Sequence, residues 1–572
     1  MRSDKWDVAG FDREKAIELV DSGLSPLVAV LLASRLQSKS ISPDELGALA
    51  YGKSPSIYDP FLMADMDKAV RRIKKAIADK ERIAIYGDYD VDGMTSSALL
   101  ATWLRTQGAE YEIYIPKRFG EGYSLNTGAL DAIRSRGADL VITVDCGIID
   151  TNEAAYAMSI GLDLIITDHH ECRGELPCAY AVINPKRPDC AYPFKSLAGV
   201  GIVFKLICAL EGDYLSDEIF RQFAQLAAIG TVADVMPVVG ENRELIRRGL
   251  GAINTDPSPG VRRLIGDDGT DYNAVTAKTI SYSIAPKLNA AGRMGDPLLS
   301  VDLLLCTDNE KAGQLVSELN LLNTQRRELE HRLFSEILTL LPPDGPKEPI
   351  ILSNETGEPW HQGVTGIVSS KIADRFKLPS IIISVDKDGI GRGSCRSDDS
   401  FNMHSALLSC QDILITFGGH DKAAGLDIAA ENIEKLRRRV TDYYFSQKGD
   451  AKGSVLKIDF EVTKPSLLEL SNVEALTSLE PFGHGNTYPC LCIKNAALSG
   501  LFPIGDGRHS RIKAVKSGQT LDCIFFSKAP GDIDASMGDS VDIAFEPHIN
   551  EYRGRRSVQL QLVDIVRSSC RM

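Results

Sequence analysis

Three aspartates stand on alternate positions in the stretch IAIYGDYDVDGMTS, residues 83–96: Asp88, Asp90 and Asp92. They come directly after an apolar run, where a strand would leave the core. Like charges held together repel, and burying an ionised carboxylate is costly. Such a group needs positive charge beside it. Three later segments repeat the pattern. VITVDCG ends in Asp145, LIITDHHE in Asp168, His169, His170 and Glu171, and the helical FAQLAAIGTVADVMP leads to Asp234. Any one of these acids alone reads as a turn former or a helix N-cap. Together they offer five or more carboxylates and two imidazoles, a donor set for divalent cations. Carboxylates suit Mg²⁺ or Mn²⁺, and the admixed histidines lean toward Mn²⁺. Two ions about 3.5–4 Å apart, bridged by a carboxylate, would activate a water and stabilise both oxygens of an in-line phosphoryl displacement.

These residues can meet only if the elements carrying them converge. Short apolar runs (RIAIYGDYD, YEIYIP, DLVITVDCG, LDLIITDHH, AYAVINP) alternate with helical patterns such as TSSALLATWLRTQG, NTGALDAIRSRG and TNEAAYAMSIG. Unbroken Val/Ile strands alternating with helices predict a mostly parallel α/β sheet. In such sheets the carboxyl ends of the strands share one crevice, where sites are built. Three of the four motifs end at those strands, and the fourth follows a helical run.

Beyond this unit, a long helical pattern near 310–341 ends in the breaker PPDGPKEP. A second, smaller α/β unit follows, with PIILSN and PSIIISV as strands around the helix TGIVSSKIADRF. From about 450 the texture changes to strands separated by glycine turns, which predicts a small β-barrel. The expected division is a helical segment over 1–57, a catalytic α/β domain over 58–310, a connecting helix over 311–345, a substrate-binding domain over 346–450 and an OB-like barrel over 451–572. In the second unit, GRGSCRS (391–397) and FGGH (417–420) are glycine-rich and carry hydroxyls, arginines and a histidine. That composition could surround a phosphate with backbone N–H groups. Arg118, Arg293, Arg392, Ser394, Arg396, Ser397, Gly418, Gly419 and His420 are the candidates for holding substrate. In the tail, GDGRHSRIKAVK and EYRGRRSVQLQL mix basic residues with His509 and Tyr552, as a face tracking a single strand would.

The bulk numbers are permissive. A net charge of −14 and a pI near 5.3 argue against a nucleic-acid coat protein, but leave room for a local basic groove. The twelve cysteines show no CxxC pairing and read as free thiols of a reducing cytoplasm. The N-terminus carries no apolar signal region, and no run is long and uncharged enough to span a bilayer.

DYDVDG, VDCG, DHHE and VADVMP resemble the four ordered motifs of the DHH phosphoesterase superfamily, whose members hydrolyse phosphoester or phosphoanhydride bonds with paired Mn²⁺ or Mg²⁺. By motif position the resemblance implies Asp90, Asp92, Asp145, His169 and Asp234 as metal ligands, Asp145 as the bridge and Asp88 as a further ligand. It implies that His170 contacts the scissile phosphate or assists proton transfer, and that Asp168 orients a histidine. Some branches have a histidine where this chain has Tyr86. PKRFGEGYSL, IAPKLNAAGRM, LNTQRRELE, GRGSCRS, FGGHDKAAGL and LEPFGHGN resemble a bacterial branch of single-strand-specific exonucleases, in order along the chain. Ser124, Lys287 and Cys395 depart from its pattern. The implied enzyme is cytoplasmic and monomeric. It hydrolyses single-stranded DNA from the 5′ end to mononucleotides, in recombination and repair, beside a helicase and single-strand-binding protein. The rivals are a phosphoesterase for very short or cyclic oligonucleotides and a non-catalytic binding protein of the same fold. Nothing visible reads a 2′-hydroxyl, so RNA stays open as a substrate.

Overall fold

The computed structural model describes residues 5–51, 57–118, 122, 124–266, 274–354, 358–398, 400–447 and 455–568. Phe119, Gly120, Glu121 and Tyr123 of PKRFGEGYSL lie outside the described residues, as does Ser454 at the head of a predicted strand.

The first α/β domain is built on five parallel strands, in the order Tyr111–Tyr114, Arg82–Gly87, Ala138–Val144, Asp163–Thr167 and Ala181–Ile183. The first strand in sequence, Arg82–Gly87, lies between the second and the third. The chain therefore changes direction across the sheet at Arg82–Gly87. Its carboxyl end and that of Ala138–Val144 border the crevice where α/β sheets bind ligands. Asp88 and Asp145 are the residues that follow those two strands. Both faces of the sheet are covered, so its inner strands are buried almost throughout, while the edge strand Tyr111–Tyr114 is half-buried. One core includes the helices Met66–Ala78, Val91–Thr106 and Gly199–Glu211, and the other the helices Thr127–Ser135 and Thr151–Ser159.

The helix Asn309–Leu340 is capped by the Asp308 side chain, which accepts from the Lys311 N–H. Thirty-two residues give it a length of about 48 Å. Its first half packs Ala312, Val316 and Leu319 into the first domain, and its second half packs Leu333 and Ile337 against the second. It fixes the separation of the two domains.

The second domain differs from its sequence reading. Its sheet runs Leu414–Gly419, Ala423–Ala429, Ile390–Arg396, Ser380–Val385, Ile350–Ser353, and only the last pair is parallel. GRGSCRS is thus no phosphate-cradling loop. It is an interior strand, whose main chain is paired on both sides. Its glycines serve packing: a Cβ on Gly391 would come 2.8 Å from Ile383, and one on Gly393 2.9 Å from Leu426. Strand alternation turns Gly391, Gly393 and Cys395 to the core and leaves Arg392, Ser394 and Arg396 on the other face. Side chains of this strand, not its N–H groups, can meet a ligand.

The C-terminal domain is a closed five-stranded barrel. Leu491–Ile504, His509–Lys516, Gln519–Phe525, Arg555–Arg567 and Ser540–Tyr552 pair in that order, and the last pairs back with the first. The N-terminal segment packs on it, with Leu27 and Leu31 sharing a core with Leu491 and Phe545. The segment also holds a strand, Lys5–Val8, that pairs in parallel with Val455–Ile458. LEPFGHGN docks the barrel on the first domain. Arg243 donates to the carbonyls of Leu479 (2.9 Å) and Glu480 (2.8 Å), and the Val238 N–H to that of His484.

Candidate metal centre

The acids arrive from four elements. Asp88 and Asp90 lie on the turn between Arg82–Gly87 and the helix Val91–Thr106, which Asp90 caps through the Gly93 N–H at 3.1 Å. Asp92 sits inside that helix, 1% exposed. Its carboxylate accepts from the Gly199 N–H at 2.7 Å and the Val200 N–H at 2.8 Å, the first turn of the helix Gly199–Glu211. A helix N-terminus favours an anion there, so the fold itself holds Asp92 in place.

Asp145 has φ 65°, a left-handed conformation uncommon for a residue with a side chain. Its carboxylate lies against Gly199, where a Cβ would come 2.6 Å from the Asp145 Cβ. Only glycine permits that approach.

His169 closes the cluster. Its Nε2 lies 3.1 Å from Asp145 Oδ1, 3.6 Å from Asp234 Oδ2 and 3.9 Å from Asp92 Oδ2. Ligand atoms gather in three overlapping trios: Asp88, Asp90 and Asp145; Asp92, His169 and Asp234; Asp145, His169 and His170. All six expected ligands come together, and His170 lies within the same reach. Asp168 does more than orient a ring. Its Oδ1 accepts from the N–H groups of His169 (2.7 Å) and His170 (3.0 Å) and lies 2.7 Å from His170 Nδ1, while Oδ2 accepts from the Ile148 N–H at 2.9 Å.

The electrostatics match a site made for cations. Burial, then the charge of neighbouring acids, pushes Asp92 up to about 7 and Asp234 up to about 8, and raises Asp88 and Asp145 well above the carboxylate range. His169 is driven down to about 3 by burial and by His170, so it is a neutral imidazole. Burial also opposes charge on His170, but the Asp168 hydrogen bond and charge outweigh it and raise His170 to about 9. The same hydrogen bond and ring charge hold Asp168 low against its own burial. Asp88 Oδ1 and Asp145 Oδ1 are buried with no hydrogen-bond partner. Native buried oxygens are rarely left so, and two in one cluster of hard donors fit a divalent metal.

Arginines face the cluster. Arg118 lies over the Tyr89 ring at 5.0 Å. Arg293 is pushed down to about 10 by burial, then by Arg118 and Arg326, with Arg396 also close enough to act. Arg396 donates from Nε to Ser370 Oγ at 3.1 Å, and Ser394 Oγ lies 3.1 Å from Thr365 Oγ1. Arg118, Arg293 and Arg396 therefore form one positive group. Arg392 turns instead to Gln362 (3.4 Å) and Asp427 (4.0 Å). The Ser397 hydroxyl is tied to the carbonyls of Phe401 and Asp421, a loop-holding role. Gly418 and Gly419 end an edge strand, and the turn carrying His420 is joined to the first domain where Arg173 donates to the Gly419 carbonyl at 2.7 Å.

Sequence reasoning passed over Arg326 and Arg173. Arg326 belongs to LNTQRRELE, but on an exposed helix it looks like any solvated charge. Tyr86 is fully buried and donates to the Ser124 carbonyl at 2.8 Å, so it props the adjacent turn. Lys287 and Cys395 are buried in cores.

Residues 82–231 match the DHH family, N-terminal domain, residues 349–444 the DHHA1 domain, and residues 458–564 the RecJ OB domain. The chain is 37% identical over 570 residues to the single-stranded-DNA-specific exonuclease RecJ of Bacillus subtilis, covering 98% of this chain and 70% of that one. It is 35% identical over 526 residues to the RecJ of Dickeya dadantii, covering 88% of this chain and 91% of that one. A crystal structure of RecJ from Thermus thermophilus in complex with Mn²⁺ superposes with a TM-score of 0.83 at 27% identity, covering 98% of this chain and 79% of that one.

Proposed function

The chain belongs to the RecJ family of DHH phosphoesterases and is a nuclease of the hydrolase class, and from there we propose that it degrades single-stranded DNA from the 5′ end to 5′-mononucleotides. The observation that carries this reading is the pair of orphaned oxygens on Asp88 and Asp145, within a crowd of acids that faces a separate crowd of arginines.

Asp88, Asp90 and Asp145 would hold one divalent ion and Asp92, His169 and Asp234 a second, with Asp145 between them. Bound there, Mn²⁺ or Mg²⁺ would supply Lewis acidity and an activated water. The side chains do the rest. His169 stays neutral and so remains a donor of its lone pair. His170, held protonated by Asp168, presents positive charge to the scissile phosphate and a proton for the departing 3′ oxygen. Arg118, Arg293, Arg396 and Ser394 bind the 5′-terminal phosphate and backbone, and Gly418, Gly419 and His420 close the cleft over it. That places the first phosphodiester bond at the acids, and the enzyme removes one nucleotide at a time. On the barrel, Phe502, Phe526 and Tyr552 are exposed beside basic residues and would stack on bases as the strand feeds in.

Among the described residues no helix is long and apolar enough to cross a membrane. We place the protein in the cytoplasm as a monomer serving recombination and repair, with single-strand-binding protein and a helicase as partners.

The test is incubation of a long 5′-labelled single strand, its duplex and a labelled dinucleotide, each with Mn²⁺ and with EDTA. The expected product is labelled mononucleotide, from the single strand only, and none in EDTA. Fast loss of dinucleotide with the long strand intact would replace this reading by that of a short-oligonucleotide phosphoesterase.

A further inference from the structure

A cavity of about 270 Å³ lies on the flank of the metal cluster, outside the set of residues given roles above except for Arg293. Ala233 and Val235, the two sequence neighbours of Asp234, belong to its wall. Val235 has φ 56° and is 67% exposed. A β-branched residue in the left-handed region is a true outlier, and such strain persists where function fixes it. Here the turn sends Asp234 toward His169 and leaves Val235 at the cavity. Arg293, Asn289 and Arg326 supply polar groups, while Val232 and Ile367 make apolar wall. The Arg326 Nε is buried without a hydrogen-bond partner, a donor in want of an acceptor.

Apolar walls with a few placed donors are the form of a ligand pocket, and this one, at the small end of the range for such pockets, has room for a nucleobase. Among the described residues the ion pair of these donors is that of Arg326 Nη1 with Glu330 at 3.0 Å. The geometry points to a subsite for one unpaired nucleobase of the substrate strand, with its face against Val235 and Ile367 and its acceptor edge toward Arg326 and Asn289. This rests on the nuclease reading and deepens it. Every base has an acceptor on its edge, so the subsite takes all four, while a base in a duplex has that edge engaged and cannot be inserted. Selection for single strands is then made twice, by cleft width and by the demand for a free base beside the scissile bond.

The test uses the Mn²⁺-loaded full-length enzyme on single strands that carry one abasic residue at successive positions. The wild type is expected to slow by at least about tenfold at the one step that brings the abasic residue into the cavity, the scale of one lost base contact. Ile367→Trp, which fills the cavity, should raise KM on the ordinary strand and abolish that pause, with Mn²⁺ binding by calorimetry unchanged. Should Ile367→Trp fail to fold, Arg326→Gln carries the same comparison, with a weakened pause and a raised KM. A wild type that passes every abasic site evenly, or a filled cavity that keeps the pause, overturns the subsite. A wild type that degrades no single strand at all overturns the nuclease reading instead.

Discussion

The helix Gly199–Glu211 carries buried charge at two places, and they are built on opposite plans. Near its middle, Lys205 is 1% exposed and pairs with Glu241 at 2.8 Å. Lys205 also donates to the Tyr58 carbonyl at 2.6 Å, and Glu241 accepts from the Tyr58 N–H at 2.9 Å and from the Tyr192 hydroxyl. Every charge there has its counter-charge and its hydrogen bonds. At the start of the same helix, Asp92 accepts from two N–H groups, and beyond it, among the described residues, Asp88 and Asp145 each keep a buried oxygen with no hydrogen bond. The arginines needed to neutralise the acids are close by. Yet among the described residues no ion pair joins Arg118, Arg293 or Arg396 to them. A charge that serves the scaffold is supplied with its partner by the chain. A charge that serves chemistry is kept waiting for a partner from outside, cations for the acids and phosphates for the arginines.

The strongest way to break this contrast is to remove one charge from each place. Asp145→Ala takes away the carboxylate shared by two of the ligand trios. Strand degradation with saturating Mn²⁺ should fall by about 10³-fold or more. Stability in EDTA should not fall, because the change removes a carboxyl whose charged form burial and the neighbouring acids already disfavour. Glu241→Ala does the reverse. It strands Lys205 in the core, a loss of about 3–5 kcal/mol, which lowers the melting transition by roughly 10 °C. Activity per folded molecule, measured well below that transition, should remain near wild type. Equal stability losses in the two variants would erase the distinction between the sites.

How much of this the sequence discloses follows the same division. Apart from Asp234, which ends a helix, the acids were legible because they come at the ends of Val/Ile runs, and a parallel sheet leaves one crevice for such ends. Local pattern and global fold agree there. The second domain was less legible. GRGSCRS has the composition of a phosphate loop, and only the neighbouring strands make it an interior strand with glycines under Ile383 and Leu426. Arg392 and Ser397 share its chemistry, but its register and the following turn send them to other partners. The pairing of Lys5–Val8 with Val455–Ile458 joins residues some 450 positions apart, and no local pattern encodes such a contact. Arg326 shows the remaining difficulty. An arginine on a long helix becomes notable only when the packing of two other helices buries its Nε.

The smallest expected effect separates the two sites by pH. In the metal-free protein, Asp92 titrates near 7 and Asp234 near 8, with Asp88 and Asp145 also raised, against about 4 in the unfolded chain. Above pH 4 the native state thus binds more protons at these acids than the unfolded state does, and their contribution falls as pH rises through the native values. His170, raised to about 9 from about 6.5, has the same sign between those values: its stabilisation is complete below the lower and lost through the upper. His169, driven down to about 3, opposes them only below about pH 6.5, where the unfolded ring would gain a proton. From pH 6.5 to 9 all the slopes agree, and the first domain in EDTA should melt at progressively lower temperature. Mn²⁺ replaces the bound protons, so its binding releases them, tightens as pH rises and flattens the slope. Calorimetric melting at three pH values with and without Mn²⁺ reads this directly. Asp145→Ala should lessen the slope in EDTA, and Glu241→Ala should lower the curve while preserving it. A metal-free melting temperature that holds constant from pH 6.5 to 9 would mean that the acids already have partners, and the waiting charge would be no different in kind from the satisfied one.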